Sequence, residues 1–214
     1  MHRACTPEIL DSLPPGDPEA VRSRRDLRKI NSVMGNARWL AGRLRALRRP
    51  GDRVLEIGAG TGEMGSALAR ECGPLDGLDL LSRPPCWPRE AAWHTGDLCA
   101  FGDYGAYDLV VGNLIFHHLG DTALGALGQR LRSGPRVIVA CEPHRSRLPR
   151  RMMAVLGPAF GASPVTLHDA RVSIEAGFRA NELPALLGLE PSDWDISTAS
   201  SLMGAYRMVA ARRS

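Results

Sequence analysis

Apolar and polar positions change rhythm twice along the 214 residues. In the first fifty, Val21, Leu27, Ile30 and Val33 recur at helical spacing. They predict a helix capped by Asp17, opened by Pro18 and stopped at Gly35. Trp39, Leu40, Leu44 and Leu47 predict a second helix whose other positions are largely arginine. After the Pro50-Gly51 break, short apolar runs at 53–57, 75–80, 92–97, 107–112 and 136–141 alternate with helical stretches near 62–72 and 121–132. Such alternation predicts a parallel sheet covered by helices on both faces. Residues 143–190 break the rhythm with an arginine-rich helix, carrying Leu148, Met152, Val155 and Leu156 on one face, and a stretch rich in glycine and proline. Residues 193–198 and 205–211 read as two last strands.

Composition removes several chemistries. The 27 basic residues are 26 arginines and one lysine, Lys29, and no glycine is followed by lysine. A Walker-type phosphate loop and Schiff-base catalysis are therefore excluded. Five cysteines, at 5, 72, 86, 99 and 141, form no close pair, and residues 1–15 carry no apolar core of a signal peptide. The expectation is a cytoplasmic protein with no membrane span. The net charge of +4 is uneven: residues 1–50 carry 11 basic and 5 acidic side chains, and the remainder 16 and 18. Without interleaved aromatics, the basic arm reads as a solvated helical face, and nucleic acid is not an expected partner.

The most informative segment runs from Val54 through Glu56, Gly58, Gly60, Gly62 and Gly65: an apolar strand, a turn with glycine at every second position, then a helix. Such a turn lets backbone pass close beneath a ligand. Taken alone it leaves the ligand open, because Gly60, Gly62 and Gly65 also satisfy the dinucleotide pattern G-x-G-x-x-G, with Asp79 placed as a ribose acid. Two features weigh against an NAD(P)-binding oxidoreductase. A carboxylate at Glu56 opposes a pyrophosphate and suits a cation, and the lone lysine precedes the loop, so no Tyr-x-x-x-Lys pair exists. A later run, Gly112-Asn113-Leu114-Ile115-Phe116-His117-His118, brings polar groups to the end of a fourth strand.

With these residues the chain resembles the class I S-adenosylmethionine (SAM)-dependent methyltransferases, in particular small-molecule enzymes of the quinone-biosynthesis type, over about residues 52–142. The resemblance implies a Rossmann-like doubly wound α/β sheet of seven strands in the order 3-2-1-4-5-7-6. It also implies an N-terminal helical lid over residues 1–50, a methyltransferase domain over 51–214, and a substrate-capping insertion over 143–190. Glu56, Gly58, Gly60 and Gly62 would surround the methionine part of SAM, and Asp79 would accept the ribose hydroxyls beside Leu80. Asp97 would take the adenine amino group and Leu98 meet the ring, while Asn113 would lie beside the sulfonium. Asn31, Arg38 and Trp39 would be lid contacts, with Arg38 on the methionine carboxylate.

Methyl transfer from a sulfonium is an in-line displacement that needs alignment and, for some acceptors, removal of a proton. Asn113-Leu114-Ile115-Phe116 stands where amine methyltransferases of nucleic acids or glutamine carry Asn/Asp-Pro-Pro-Tyr/Phe. Transfer to oxygen or carbon of a small aromatic or polyketide-like acceptor is therefore the expected reaction. Candidate bases are His117 or His118, near neutrality, and His168 beside Asp169. Glu142 is expected to point to the pocket, and Arg145 to pair with an anionic substrate or with Glu142. Trp39, Phe116, Phe160 and Phe178 are candidate pocket walls. His144, His168 and Asp169 lack metal-ligand spacing, so no metal is expected. The sequence leaves room for a homodimer, and an RNA-binding methyltransferase-like module stays open as an alternative.

Overall fold

The computed structural model describes residues 2–14, 16–159 and 161–213. Its seven strands are β1 (Val54–Ile57), β2 (Asp76–Asp79), β3 (Trp93–Thr95), β4 (Leu109–Asn113), β5 (Val137–Pro143), β6 (Trp194–Ser200) and β7 (Ala205–Arg212). They form one sheet in the order β3-β2-β1-β4-β5-β7-β6, as expected. The first five are parallel, and β7 runs antiparallel between β5 and β6.

Alternation along each strand divides the core into two layers. Leu55, Ile57, Val110, Ile138 and Ala140 face one side. There they pack with Leu124, Leu127 and Leu131 of α5 (Asp121–Ser133) and Leu183 of α8 (Glu182–Leu186). Val54, Leu109, Val111, Val137 and Val139 face the other. They meet Leu40, Ala41 and Leu44 of α3 (Asn36–Leu47) and Leu68 of α4 (Glu63–Cys72). Each of these fully buried leucines contributes about 1.5–3 kcal/mol.

The first long helix, α2 (Pro18–Met34), begins and ends where the sequence predicts: Asp17 accepts from the Glu19 and Ala20 N–H groups, and Gly35 turns left-handed at φ 69°. Its buried face is not the predicted stripe. Val21 and Val33 are 54% and 61% exposed, whereas Ala20, Ser23 and Asp26 are buried. The reason lies in its partner, α7 (Pro164–Ala176), which meets α2 through polar groups. The Ser163 N–H and the Thr166 hydroxyl donate to Asp26, and Thr166 also bonds Ser23. Buried hydrogen bonds contributing about 0.5–1.5 kcal/mol each thus replace apolar packing at this seam.

Between β5 and α7, α6 (Arg147–Ala159) packs against α7 with its apolar residues largely outward: Leu148, Val155 and Leu156 are exposed. A short helix, α1 (Ile9–Ser12), also sits on α7. Among the described residues, no helix is long and apolar enough to cross a membrane.

Candidate active site at the carboxyl ends of β1, β2 and β4

β1 runs into the glycine turn, whose Gly58, Gly60 and Gly62 all have positive φ (64°, 52° and 76°). Two of them also lack room for a side chain. A Cβ on Gly58 would stand 2.3 Å from Ile115, and one on Gly62 would stand 2.7 Å from Pro84. Asp79, at the end of β2, closes the turn: one carboxylate oxygen accepts the Gly60 N–H at 2.7 Å and the other the Leu81 N–H at 2.9 Å. Each oxygen keeps a further lone pair for a ligand donor. Leu80 beside it is 75% exposed, an apolar side chain in the open rather than in the core.

Beneath the loop lies Glu56, 2% exposed, with Oε2 unpartnered. Burial, reinforced by the Asp79 charge, raises its pKa to about 8 against a partial offset from the Gly65 N–H. Space for its carboxylate comes from Gly65, where an added Cβ would lie 2.2 Å from Oε2 and 2.4 Å from Trp87. The loop after β2 folds back so that Trp87, 3% exposed, covers this spot and meets Trp93 edge-on.

At the end of β4, Leu114 adopts φ 55°, an unusual backbone for a branched residue. A 3₁₀ turn, Phe116–His118, follows. Both are braced from β5 by Glu142, fully buried, whose carboxylate accepts the Ile115, Phe116 and His117 N–H groups at 2.9–3.1 Å and the His117 ring Nδ1 at 2.7 Å. Glu142 therefore does not point to an open pocket; the turn's own donors consume its acceptors. Burial alone would push the His117 pKa down, but the Glu142 charge and hydrogen bond, with Glu8 adding to them, hold it at about 9. That imidazole stays charged near neutrality, so the expected neutral base is not His117. His118, beside it at 4.2 Å between ring centroids, is shifted the other way by burial and the His117 charge. It lines a cavity of about 260 Å³ with Cys5, Glu8, Asp11 and Val172.

Asn113 sits at the β4 end, its side-chain oxygen accepting from the Asn36 amide at 3.1 Å; the same amide reaches Asn31 at 2.9 Å. Asn36, fully buried with Oδ1 unpartnered, joins this sheet end although the sequence did not single it out. Its position directly after Gly35, the helix stop, was the available signal. Arg38 is exposed, and Trp39 is half-buried beneath Arg43 and Arg207. Asp97 is exposed and caps its own turn through the Cys99 N–H at 2.7 Å, while Leu98 is buried in the core.

Several expectations are corrected. His168 and Asp169 lie within α7. Asp169, fully buried, accepts the Ile9 and Leu10 N–H groups at 2.8 and 2.9 Å, and His168 bonds Asp169 at 3.0 Å without lining the cavity. Arg145 is buried rather than open to a substrate: it pairs with Glu182 and its Nε donates to the Gly177 carbonyl at 3.2 Å. Phe116 and Phe178 are fully buried core residues rather than pocket walls. Phe160 lies outside the described residues.

No protein-family model and no curated protein sequence matches the chain. Solved structures do match it in fold. The plantazolicin methyltransferase BpumL, solved in complex with SAH, superposes with TM-score 0.70 at 14% identity over 93% of this chain and 92% of its own. The methyltransferase domain of bacterial CtHen1-C gives 0.62 at 13% identity, over 86% and 99%. A putative O-methyltransferase from Nostoc punctiforme gives 0.61 at 14% identity, over 99% of this chain and 64% of its own. The chain has the Rossmann-like fold these methyltransferases share.

Proposed function

We propose that this chain is a SAM-dependent methyltransferase that transfers a methyl group to an oxygen, or carbon, of a small aromatic or polyketide-like acceptor. The observation that carries this reading is the buried carboxyl group of Glu56, with Oε2 unpartnered, under a glycine loop closed by the Asp79 carboxylate. A dinucleotide pyrophosphate would meet the Asp79 carboxylate and gain nothing from Glu56, whereas a cationic ligand meets the Asp79 charge and draws Glu56 toward its ionised form. Asn36, a second unpartnered buried acceptor, is linked to Asn113 at the same sheet end. Together these acceptors suit a cofactor bearing a sulfonium and an ammonium, and the fold shared with structures of methyltransferases supports the same assignment.

When bound, SAM supplies an electrophilic methyl group. In this reading the glycine loop from Glu56 to Gly62 holds the methionine part, Asp79 accepts from the ribose with Leu80 as an apolar wall, and Asp97 and Leu98 flank the adenine. The Asn113 carbonyl faces the sulfonium. The exposed Arg38 is available to the methionine carboxylate from α3. Proton removal at the acceptor belongs to the His118 position, where a ring depressed in pKa lines the cavity. Helices α1 to α3 serve as the lid, and α6 to α8 as the capping insertion. Five free cysteines fit a reducing, cytoplasmic setting.

Calorimetry with SAM, with SAH and with NAD tests the assignment. SAM and SAH are expected to bind, and Asp79→Ala to weaken them about a hundredfold through two lost charge-assisted hydrogen bonds. Binding of NAD with no response to SAM would overturn it.

A further inference from the structure

The N-terminal segment is clamped across the β4 turn. Arg3 donates to the carbonyls of Leu119 at 2.6 Å and Ala176 at 2.9 Å, pairs with Asp121 and lies over the Phe178 ring. Asp169 fixes the next turn by capping Ile9 and Leu10. Between these two anchors, Glu8 is 9% exposed and oriented by the Ser173 hydroxyl. Its Oε1 stands 3.5 Å from His117 Nε2, while Asp11 Oδ2 stands 3.6 Å from His118 Nδ1. One ligating atom from each of Glu8, His117 and His118 lies within 4.8 Å of the others.

Two independent features mark this as a built site. The Glu8 to His117 separation exceeds the ~2.7–2.9 Å of a charge-assisted hydrogen bond. It matches instead the ~3.4 Å between neighbouring donors about a tetrahedral ion with bonds of about 2.0–2.1 Å. In addition, His117 gives its other nitrogen to a fully buried carboxylate, Glu142, at 2.7 Å. That outer carboxylate fixes the ring plane and aims Nε2 at Glu8, the arrangement found around metal-bound imidazoles; in the metal-free chain Nε2 carries a proton, which the ion displaces on binding.

We propose that Glu8, His117 and His118 form a binding site for a divalent transition-metal ion of the zinc class, with Asp11 within reach as a further donor. Two imidazoles and a carboxylate select such an ion over magnesium or calcium, which favour all-oxygen shells. Coordination positions left open face the cavity and take an oxygen donor entering it. One consequence rests on the methyl-transfer reading: with the ion bound, His118 would be a ligand in place of the base proposed above, and an acceptor hydroxyl held by the ion would lose its proton to water. The ion would thereby supply an oxygen nucleophile at neutral pH, with the electron pair of the broken carbon–sulfur bond remaining on the cofactor's sulfur.

The test needs neither cofactor nor acceptor, so it fails or succeeds apart from that reading. Chelator-treated full chain is titrated with Co²⁺, followed by its visible absorption, and the bound ion is then displaced with Zn²⁺. One Co²⁺ per chain is expected, with Glu8→Gln and His118→Gln each weakening binding at least tenfold. His94→Gln, which alters a histidine of β3 at the sheet edge, bonded to Tyr107, leaves affinity unchanged. His117→Gln is omitted because it disturbs the Glu142 brace; circular dichroism checks that the other variants fold. Absence of saturable binding, parental affinity in the Glu8 and His118 variants, or loss of binding in the His94 variant overturns the proposal.

Discussion

Glu56 and Glu142 are the same residue in nearly the same place: late in a strand that flanks β4, buried, and carrying a carboxylate that apolar surroundings disfavour. They lie on opposite faces of the sheet and have opposite fates. Glu142 accepts three backbone N–H groups and one imidazole, so its charge is spent within the protein, holding the Leu114 to His118 turn. Glu56 keeps an oxygen with no partner and a pKa raised to about 8. Burial alone does not distinguish a brace from a binding group; satisfaction of the buried acceptor does.

The largest expected effect is on the brace. Glu142→Ala leaves three buried N–H groups and the His117 ring unpaired and should cost about 3–5 kcal/mol in urea unfolding, as removal of one partner from a buried ion pair does. A loss below about 1 kcal/mol would erase the contrast. Glu56→Gln should act in the reverse sense, leaving the unliganded chain as stable as the parent or more so at pH 8 while weakening SAM binding about tenfold.

The pH dependence sharpens the same point. The folded chain keeps Glu56 protonated up to about pH 8, whereas the unfolded chain ionises it near 4.5. The folded state therefore binds more protons across that window, and this group's contribution to stability falls as pH rises through it. Glu56→Gln should remove that slope. SAM affinity should rise with pH toward 8, because the cation favours the ionised carboxylate; affinity flat with pH would contradict the role. The smallest effect is expected at Leu80: with its side chain mostly in solvent, Leu80→Ala should change stability by less than about 0.5 kcal/mol. It should nevertheless weaken SAM binding a few-fold in calorimetry.

Much of the fold was legible because its signals are local. Asp17 with Pro18, Gly35, the apolar runs and the glycine spacing each report the conformation of their own few residues, and all appear where the pattern put them. The α2 stripe was misread because Val21 and Val33 look like core to any periodicity argument, yet the seam with α7 is satisfied through Asp26 and Thr166. His168 beside Asp169 was read as a candidate base because no local feature reveals that the Asp169 carboxylate caps a helix 160 residues away.

By itself, then, the sequence determined which segments are strands and helices and placed the glycine turn with Asp79 beyond it, since periods of 2.0 and 3.6 residues and left-handed glycines act within a few residues; the strand order came from the family resemblance. Only the tertiary structure decided which buried groups find partners. Glu142 reaches its donors across 25 to 27 residues, Glu8 meets His117 across the whole first half of the chain, and Glu56 Oε2 is left without a hydrogen-bond partner. A hydrogen bond or an ion site needs its groups within about 3 to 5 Å whatever their separation along the chain, and folding alone sets that distance.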